Sequence, residues 1–336
     1  MIDSRAGPGV ELSSQFSASG IGELEVLSQD GGLVLGRGWR EGAGGGRQDV
    51  LIVLPTSQQP ALTALDRLAH EYSFKDELDS TWAVQPLELV RDRGQSILVL
   101  EDPGGVLLSE LLDAPMEIGR FLRIAIAVTA ALAKVHQRGL IHKDIKPANI
   151  LVDTASGDVW LTGFGITSRL PRERQPPDPP EVIAGTLAYM APEQTGRMNR
   201  SIDSRSDLYA CGVTLYEMIS GTLPFSASDP MDWIHCHIAR QPMPPSERLN
   251  GVPASLSAIV MKLLAKTAEE RYQTAMGLER DLQHCLKEWE SDGRIDEFEP
   301  GEHDRPDRLL IPERLYGRAS EINTLLASFE RVVAGG

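Results

Sequence analysis

Eleven residues, 142–152, constrain this chain more than any others. They read His142-Lys143-Asp144-Ile145-Lys146-Pro147-Ala148-Asn149-Ile150-Leu151-Val152. An apolar run leads in and Ile150-Leu151-Val152 leads out, so the pattern predicts strand, tight loop, strand. Between the runs an acid, a base and an amide stand at fixed offsets: Asp144, Lys146 and Asn149. A loop of this length holds these polar side chains at one mouth.

The chain before this loop is β-prone. Short apolar runs at Glu23–Leu27, Leu33–Leu35 and Val50–Leu54 predict strands, the last two linked by the glycine-rich Gly42–Gly46. Leu62, Leu65, Leu68 and Tyr72 recur at helical spacing and predict a helix of about 15 residues. Val84–Leu89 and Ser96–Leu100 predict two further strands. After Glu101-Asp102-Pro103-Gly104-Gly105 the pattern turns helical. A short helix starts at Ser109, and a long one runs from Glu117 to Gln137, stopped by Gly139. Val159–Leu161 is a strand and Gly163-Phe164-Gly165 follows. Residues 170–182 carry five prolines and read as an extended surface segment. Helices are expected over Ser206–Ser220, Pro230–Arg240, Leu256–Lys266 and Gln273–Glu290. Residues 1–18 are Ser/Gly-rich without periodicity and are expected to be disordered.

The 142–152 string resembles the catalytic loop of the eukaryotic-type Ser/Thr protein kinases, H-R-D-x-x-x-x-N. The resemblance implies that Asp144 is the base accepting a substrate hydroxyl proton and Asn149 a Mg²⁺ ligand. It places Lys146 with the Ser/Thr branch. Ala191-Pro192-Glu193 matches the family's A-P-E motif, and Arg271 matches the arginine that pairs with its glutamate. Asp207 matches the helix aspartate that holds the catalytic loop's backbone, Thr186 a residue contacting the acceptor site, and His142 a scaffold histidine. The fold implied is α+β and two-lobed, with a small β-rich lobe over 19–104 and a larger helical lobe over 105–290. ATP and Mg²⁺ are the implied cofactors and a protein hydroxyl the implied substrate.

The first lobe departs from that pattern. The turn that should carry G-x-G-x-x-G is Ser28-Gln29-Asp30-Gly31-Gly32-Leu33, which lacks the motif and adds an acid; Gly36-Arg37-Gly38 comes too late. Val53 stands where the third strand should end in the lysine that holds the α and β phosphates. Glu71, the candidate partner of that lysine, is left either without its cation or as a solvated helix residue. Gly163 replaces the aspartate of D-F-G, the main metal ligand. Loss of one preorganised charge-stabilising group typically costs about 2.7–4 kcal/mol of barrier. Lys143 replaces the loop's arginine and offers a point charge instead of a bidentate fork. Thr167, Ser168 and Thr186 remain as modifiable hydroxyls.

Further along, Leu315-Tyr316-Gly317-Arg318-Ala319-Ser320-Glu321, with an apolar helix after it, resembles the entry to a P-loop ATPase of the AAA/STAND kind. With Thr195–Arg200 and Ile234–Ala239, the chain resembles bacterial multidomain sensors. In these a Ser/Thr kinase-like domain precedes an ATPase, a GAF and a histidine kinase domain. On that reading 291–336 is a linker and the start of an ATPase, and the partners are those intramolecular domains or a protein substrate.

A net charge of −15 argues against nucleic acid or an anionic membrane as partner. No run of about 18 apolar residues predicts a membrane span. Cys211, Cys236 and Cys285 are far apart and fit buried thiols in a reducing cytoplasm. His235-Cys236-His237 invites a metal reading, but residues two apart on a helix point to different faces. Two functions stay open. One is a pseudokinase, a kinase-fold module regulating the other domains; the other is an active ATP-dependent Ser/Thr kinase. The sequence favours the first through Val53, Gly163 and the missing glycine loop. A kinase-like fold with another chemistry, such as nucleotide transfer, is the remainder.

Overall fold

The computed structural model describes residues 22, 24–41, 45–57, 59–92, 95–169, 186–198 and 200–305. The 170–182 segment, most of the Gly42–Gly46 loop, residues 1–18 and the ATPase-like string therefore lie outside the described residues. The fold is α+β, a β-sheet lobe followed by a helical lobe, as the resemblance implied.

Five antiparallel strands form the first lobe: β1 (Glu25–Asp30), β2 (Leu33–Glu41), β3 (Arg47–Pro55), β4 (Pro86–Asp92) and β5 (Gln95–Glu101), in spatial order β1-β2-β3-β5-β4. Side chains alternate faces along a strand, and β3 uses both. Leu51 and Val53 join Leu35, Leu98 and Leu100 on the face that receives Leu68 of α1 (Leu62–Tyr72). Val50, Ile52 and Leu54 pack with Val34, Ile97 and Val99 on the other. That two-sided burial is why β3 reads as an unbroken apolar run.

Most boundaries shift by a few residues from expectation, and the shifts of α1 and of the fourth strand have a visible cause. α1 has 11 residues, shorter than its pattern suggested, because Ser73, Phe74 and Lys75 close it with three-residue turns. The strand expected from Val84 begins at Pro86. Val84 instead gives its N–H to the Leu161 carbonyl (2.9 Å), and Leu161 returns its N–H to Trp82 (3.0 Å), tying this segment to the helical lobe.

The second lobe opens with β6 (Val106–Leu107), which pairs with β7 (Ile150–Val152), itself paired with β8 (Val159–Leu161). α2 (Ile118–Gln137) starts at Glu117, whose carboxylate accepts from the N–H groups of Gly119 and Arg120. This is an acidic cap at the positive end of a helix dipole. Gly139 (φ 75°) lets the chain leave it. α3 (Ser204–Ser220) begins at its cap Asp203 and ends at Gly221. It is buried on almost every side, which makes it the axis of the lobe. α4 (Pro230–Ile238), α5 (Pro245–Arg248), α6 (Ala254–Leu263) and α7 (Ala275–Asp292) surround it. No helix among the described residues is long and apolar enough to cross a membrane.

Candidate active-site cleft

The catalytic-loop stretch is held from below by α3. Asp207, fully buried, accepts the backbone N–H of His142 (2.8 Å) and of Lys143 (2.7 Å), and His136 Nε2 lies 2.9 Å from it. Lys143 takes φ 68°, the one positive φ at a non-glycine among the described residues. Such a conformation persists only where its surroundings over-determine it. Here Asp207 takes the N–H, and the Gln194 side-chain amide donates to the carbonyl at 2.9 Å.

His142 is buried. Its Nε2 hydrogen-bonds the Thr162 carbonyl (3.0 Å) and Nδ1 accepts the Asp144 N–H (3.3 Å). Burial lowers its pKa, against the opposing pull of Asp207 and Asp144. With Nε2–H donating to one backbone group and Nδ1 accepting from another, the imidazole is a scaffold for the loop.

Asp144, Lys146 and Asn149 converge. Lys146 Nζ lies 3.0 Å from Asp144 Oδ2 and 2.5 Å from Thr186 Oγ1, and the Thr186 N–H donates to Asp144 Oδ1 at 3.2 Å. The Asn149 amide donates to the Asp144 carbonyl (2.8 Å) and carboxylate (3.0 Å). The fourth member comes from the β1–β2 turn: Asp30 reaches down and its carboxylate pairs with Lys146 Nζ and accepts from Thr186 Oγ1. Burial would lower the Lys146 pKa, yet Asp144 and Asp30 hold it above the ordinary lysine value. Burial likewise opposes ionisation of Asp30, and Lys146 outweighs it, so that carboxyl sits below the usual range.

The first-lobe wall is different. Val53 presents an apolar side chain from β3. Glu71 is 4% exposed and accepts the Gly163 N–H at 3.2 Å. Burial pushes its pKa up to about 7, moderated by the N–H groups of Phe164 and Gly163. The solvated-helix alternative for Glu71 is thereby corrected. Ala64, Leu68 and Glu71 form one buried stripe of α1.

Gly163 has φ 80°, and a Cβ built on it would lie 2.8 Å from Asn149 Cγ and Nδ2. Mg²⁺ asks for carboxylate and other oxygen ligands in near-octahedral array. Here the position facing Asn149 carries no side chain, and Asn149 turns its N–H₂ toward Asp144. No group of three or more His, Cys, Asp or Glu suited to a metal occurs among the described residues. These residues do not fit Mg²⁺. The His-Cys-His run does not converge either: His237 is buried against the Tyr209 hydroxyl (2.9 Å) while His235 is exposed.

Two cleft residues carried no motif. Asp30 stood out only as an extra acid in the turn. Arg67 belongs to no motif, although it lies four residues before Glu71 and so on the same helix face. Both line the same cleft as Val53, Glu71, Asp144, Lys146, Asn149 and Gly163.

Away from the cleft, Arg271 and Glu193 form a buried two-pronged pair (2.7 and 2.9 Å). Ser206 adds a bond to Glu193 (2.7 Å), and Arg271 also donates to the carbonyls of Arg205, Lys266 and Ala265. Burial would raise the Glu193 pKa, but the Arg271 charge holds it below the ordinary value.

Comparison with known proteins agrees with this geometry. Residues 53–284 match the family model described as protein kinase domain. The chain is 37% identical over 187 residues to the serine/threonine-protein kinase PknB of Mycobacterium tuberculosis, covering 55% of this chain and 29% of that protein. It is 32% identical over 207 residues to a probable serine/threonine-protein kinase of Corynebacterium efficiens, covering 60% and 31%. It is 28% identical over 309 residues to the hybrid signal transduction histidine kinase G of Dictyostelium discoideum, covering 66% and 9%. The chain thus spans less than a third of each relative.

Proposed function

The chain belongs to the protein kinase domain family, and we propose that within it this chain is a regulatory kinase-fold module with little or no phosphoryl transfer of its own. The contact of Gly163 with Asn149 supports this most. The place of the metal-binding carboxylate is empty of side chain and crowded by the neighbouring amide. Val53 in place of the phosphate-holding lysine points the same way. So does the Asp30 carboxylate already seated on Lys146 and Thr186. The module's partners are protein: ATPase and histidine kinase domains of a larger bacterial signalling protein, in the cytoplasm. The likeness to a hybrid histidine kinase and the ATPase-like string at 315–321 support that setting.

A second reading has its own support. Asp144, Lys146 and Asn149 converge with Thr186 at hydrogen-bond distance, and two relatives are named Ser/Thr protein kinases. On that reading the chain is an ATP- and Mg²⁺-dependent kinase of protein hydroxyls. Radiolabelled phosphate transfer by the wild type and by Asp144→Asn separates the two. Equal, background-level incorporation is expected. Incorporation by the wild type that Asp144→Asn abolishes would overturn the regulatory reading.

A further inference from the structure

Arg67 is a cation in the cleft with nothing to hold among the described residues. Its stem crosses Gly165, where an added Cβ would lie 3.1 Å from Arg67 Cβ, and its tip passes under the β1–β2 turn, 2.7 Å from where a Cβ on Gly31 would stand. Gly31 therefore leaves room for the guanidinium under the roof of the cleft, and Gly165 for the backbone and Cβ of α1 that carry it. It forms no hydrogen bond or ion pair with any described residue. Next to it on the roof, Asp30 sends its carboxylate to Lys146 and Thr186. The floor of the cleft thus already binds an oxyanion, one supplied by the chain itself.

We propose that Arg67 is the phosphate-binding cation of this cleft. With Lys146 it takes the di- or triphosphate of a nucleotide without a metal ion, and the Asp30 carboxylate occupies part of that seat until the ligand displaces it. A guanidinium suits this task because its planar fork donates two parallel hydrogen bonds to phosphate oxygens. A donor set unsuited to Mg²⁺ is no obstacle, since Arg67 and Lys146 neutralise phosphate charge directly. Burial of Glu71, with its carboxyl near half-protonated at neutral pH, leaves less negative charge facing such a ligand.

The proposal deepens the regulatory reading by naming the ligand class of the same cleft, and the two fail separately. Transfer activity that depends on Asp144 would remove the regulatory reading and leave binding untouched. The test is calorimetric titration of the 336-residue chain with ATP and with AMP in excess EDTA. Wild type is expected to bind ATP saturably, Arg67→Ala to bind it at least about tenfold more weakly, and AMP binding to be the same in both. Asp30→Asn, which frees Lys146 and removes a like charge, is expected to bind ATP up to about fivefold more tightly, a gain that misfolding cannot produce. Absence of ATP binding by wild type in EDTA, equal ATP affinity of wild type and Arg67→Ala, or parallel loss of ATP and AMP in that variant would overturn it.

Discussion

Asn149 fills the space that any side chain on Gly163 would need: a Cβ there would stand 2.8 Å from the asparagine's Cγ and Nδ2. The two positions that should face each other across a metal ion instead touch. The Asn149 amide is free to turn inward onto Asp144, with bonds of 2.8 and 3.0 Å.

That contact makes Gly163→Ala costly on two counts. It forces a Cβ into the left-handed region (φ 80°) and overpacks it against Asn149. Together these should destabilise the chain by about 2–4 kcal/mol. In an Asn149→Ala background the overpacking is gone, so the same substitution should cost at least about 1 kcal/mol less. Urea unfolding of the four members of this double-mutant cycle measures the difference. Strict additivity would refute the contact.

Glu71 gives the cleft a pH dependence. Its folded-state value, about 7, lies above the ordinary 4.5, so between these values the folded chain keeps a proton that the unfolded chain has released. Stability should therefore fall as pH rises from about 4.5 to 7, by up to about 3 kcal/mol from this group, and be level above. Glu71→Gln keeps an oxygen for the Gly163 N–H and has no proton to lose. Denaturant curves at pH 5 and pH 8 should show wild type losing about 2.5 kcal/mol more than the variant. Parallel losses would mean that Glu71 is not buried as an acid.

In the helical lobe, Arg271 and Glu193 are both buried and paired at 2.7 and 2.9 Å. Removing one partner strands the other charge away from water, so Arg271→Ala should cost about 3–5 kcal/mol. Replacing both partners by apolar residues of similar volume should cost less than the single change. Thermal unfolding of the single and double variants decides this.

Much of the helical lobe was legible because its signals are local. Asp144, Lys146 and Asn149 sit within one loop, and Gly221 marks the end of α3 by its own chemistry, while the helix starts two residues before the expected Ser206, at Ser204 behind its cap Asp203. The Arg271–Glu193 pair was readable only through resemblance, since spacing alone does not join residues so far apart. The cleft's upper wall was less legible for the same reason. Asp30 meets Lys146 across 116 positions, and a turn with an extra acid gives no hint of its reach. Arg67 and Glu71 could have been read together. The stripe Ala64, Leu68, Glu71 places a carboxyl on the apolar face of α1, and Arg67 precedes it by one turn. The shift of the fourth strand was hidden because Val84 bonds to Leu161 in the other lobe, which no local pattern encodes.

The Asp30–Lys146 pair should behave unlike the Arg271 pair, although both join opposite charges across the fold. The Asp30 side chain is 54% exposed and that of Lys146 4%, so water and salt screen the bond from one side. Asp30→Asn is expected to change stability at pH 7 by less than about 1 kcal/mol, and by still less in 1 M salt. The Asp30 carboxyl sits below its ordinary 3.8, so its contribution is present in full above that value and disappears as pH falls through the lower folded-state value. Wild type and variant should therefore converge in acid. Urea titrations at pH 7 and below pH 3, in low and high salt, test both expectations. A loss of 3 kcal/mol or more at pH 7 would show that the contact is part of the permanent framework, and a ligand could not then displace it. A small, salt-sensitive loss is what a carboxylate holding a seat for phosphate requires.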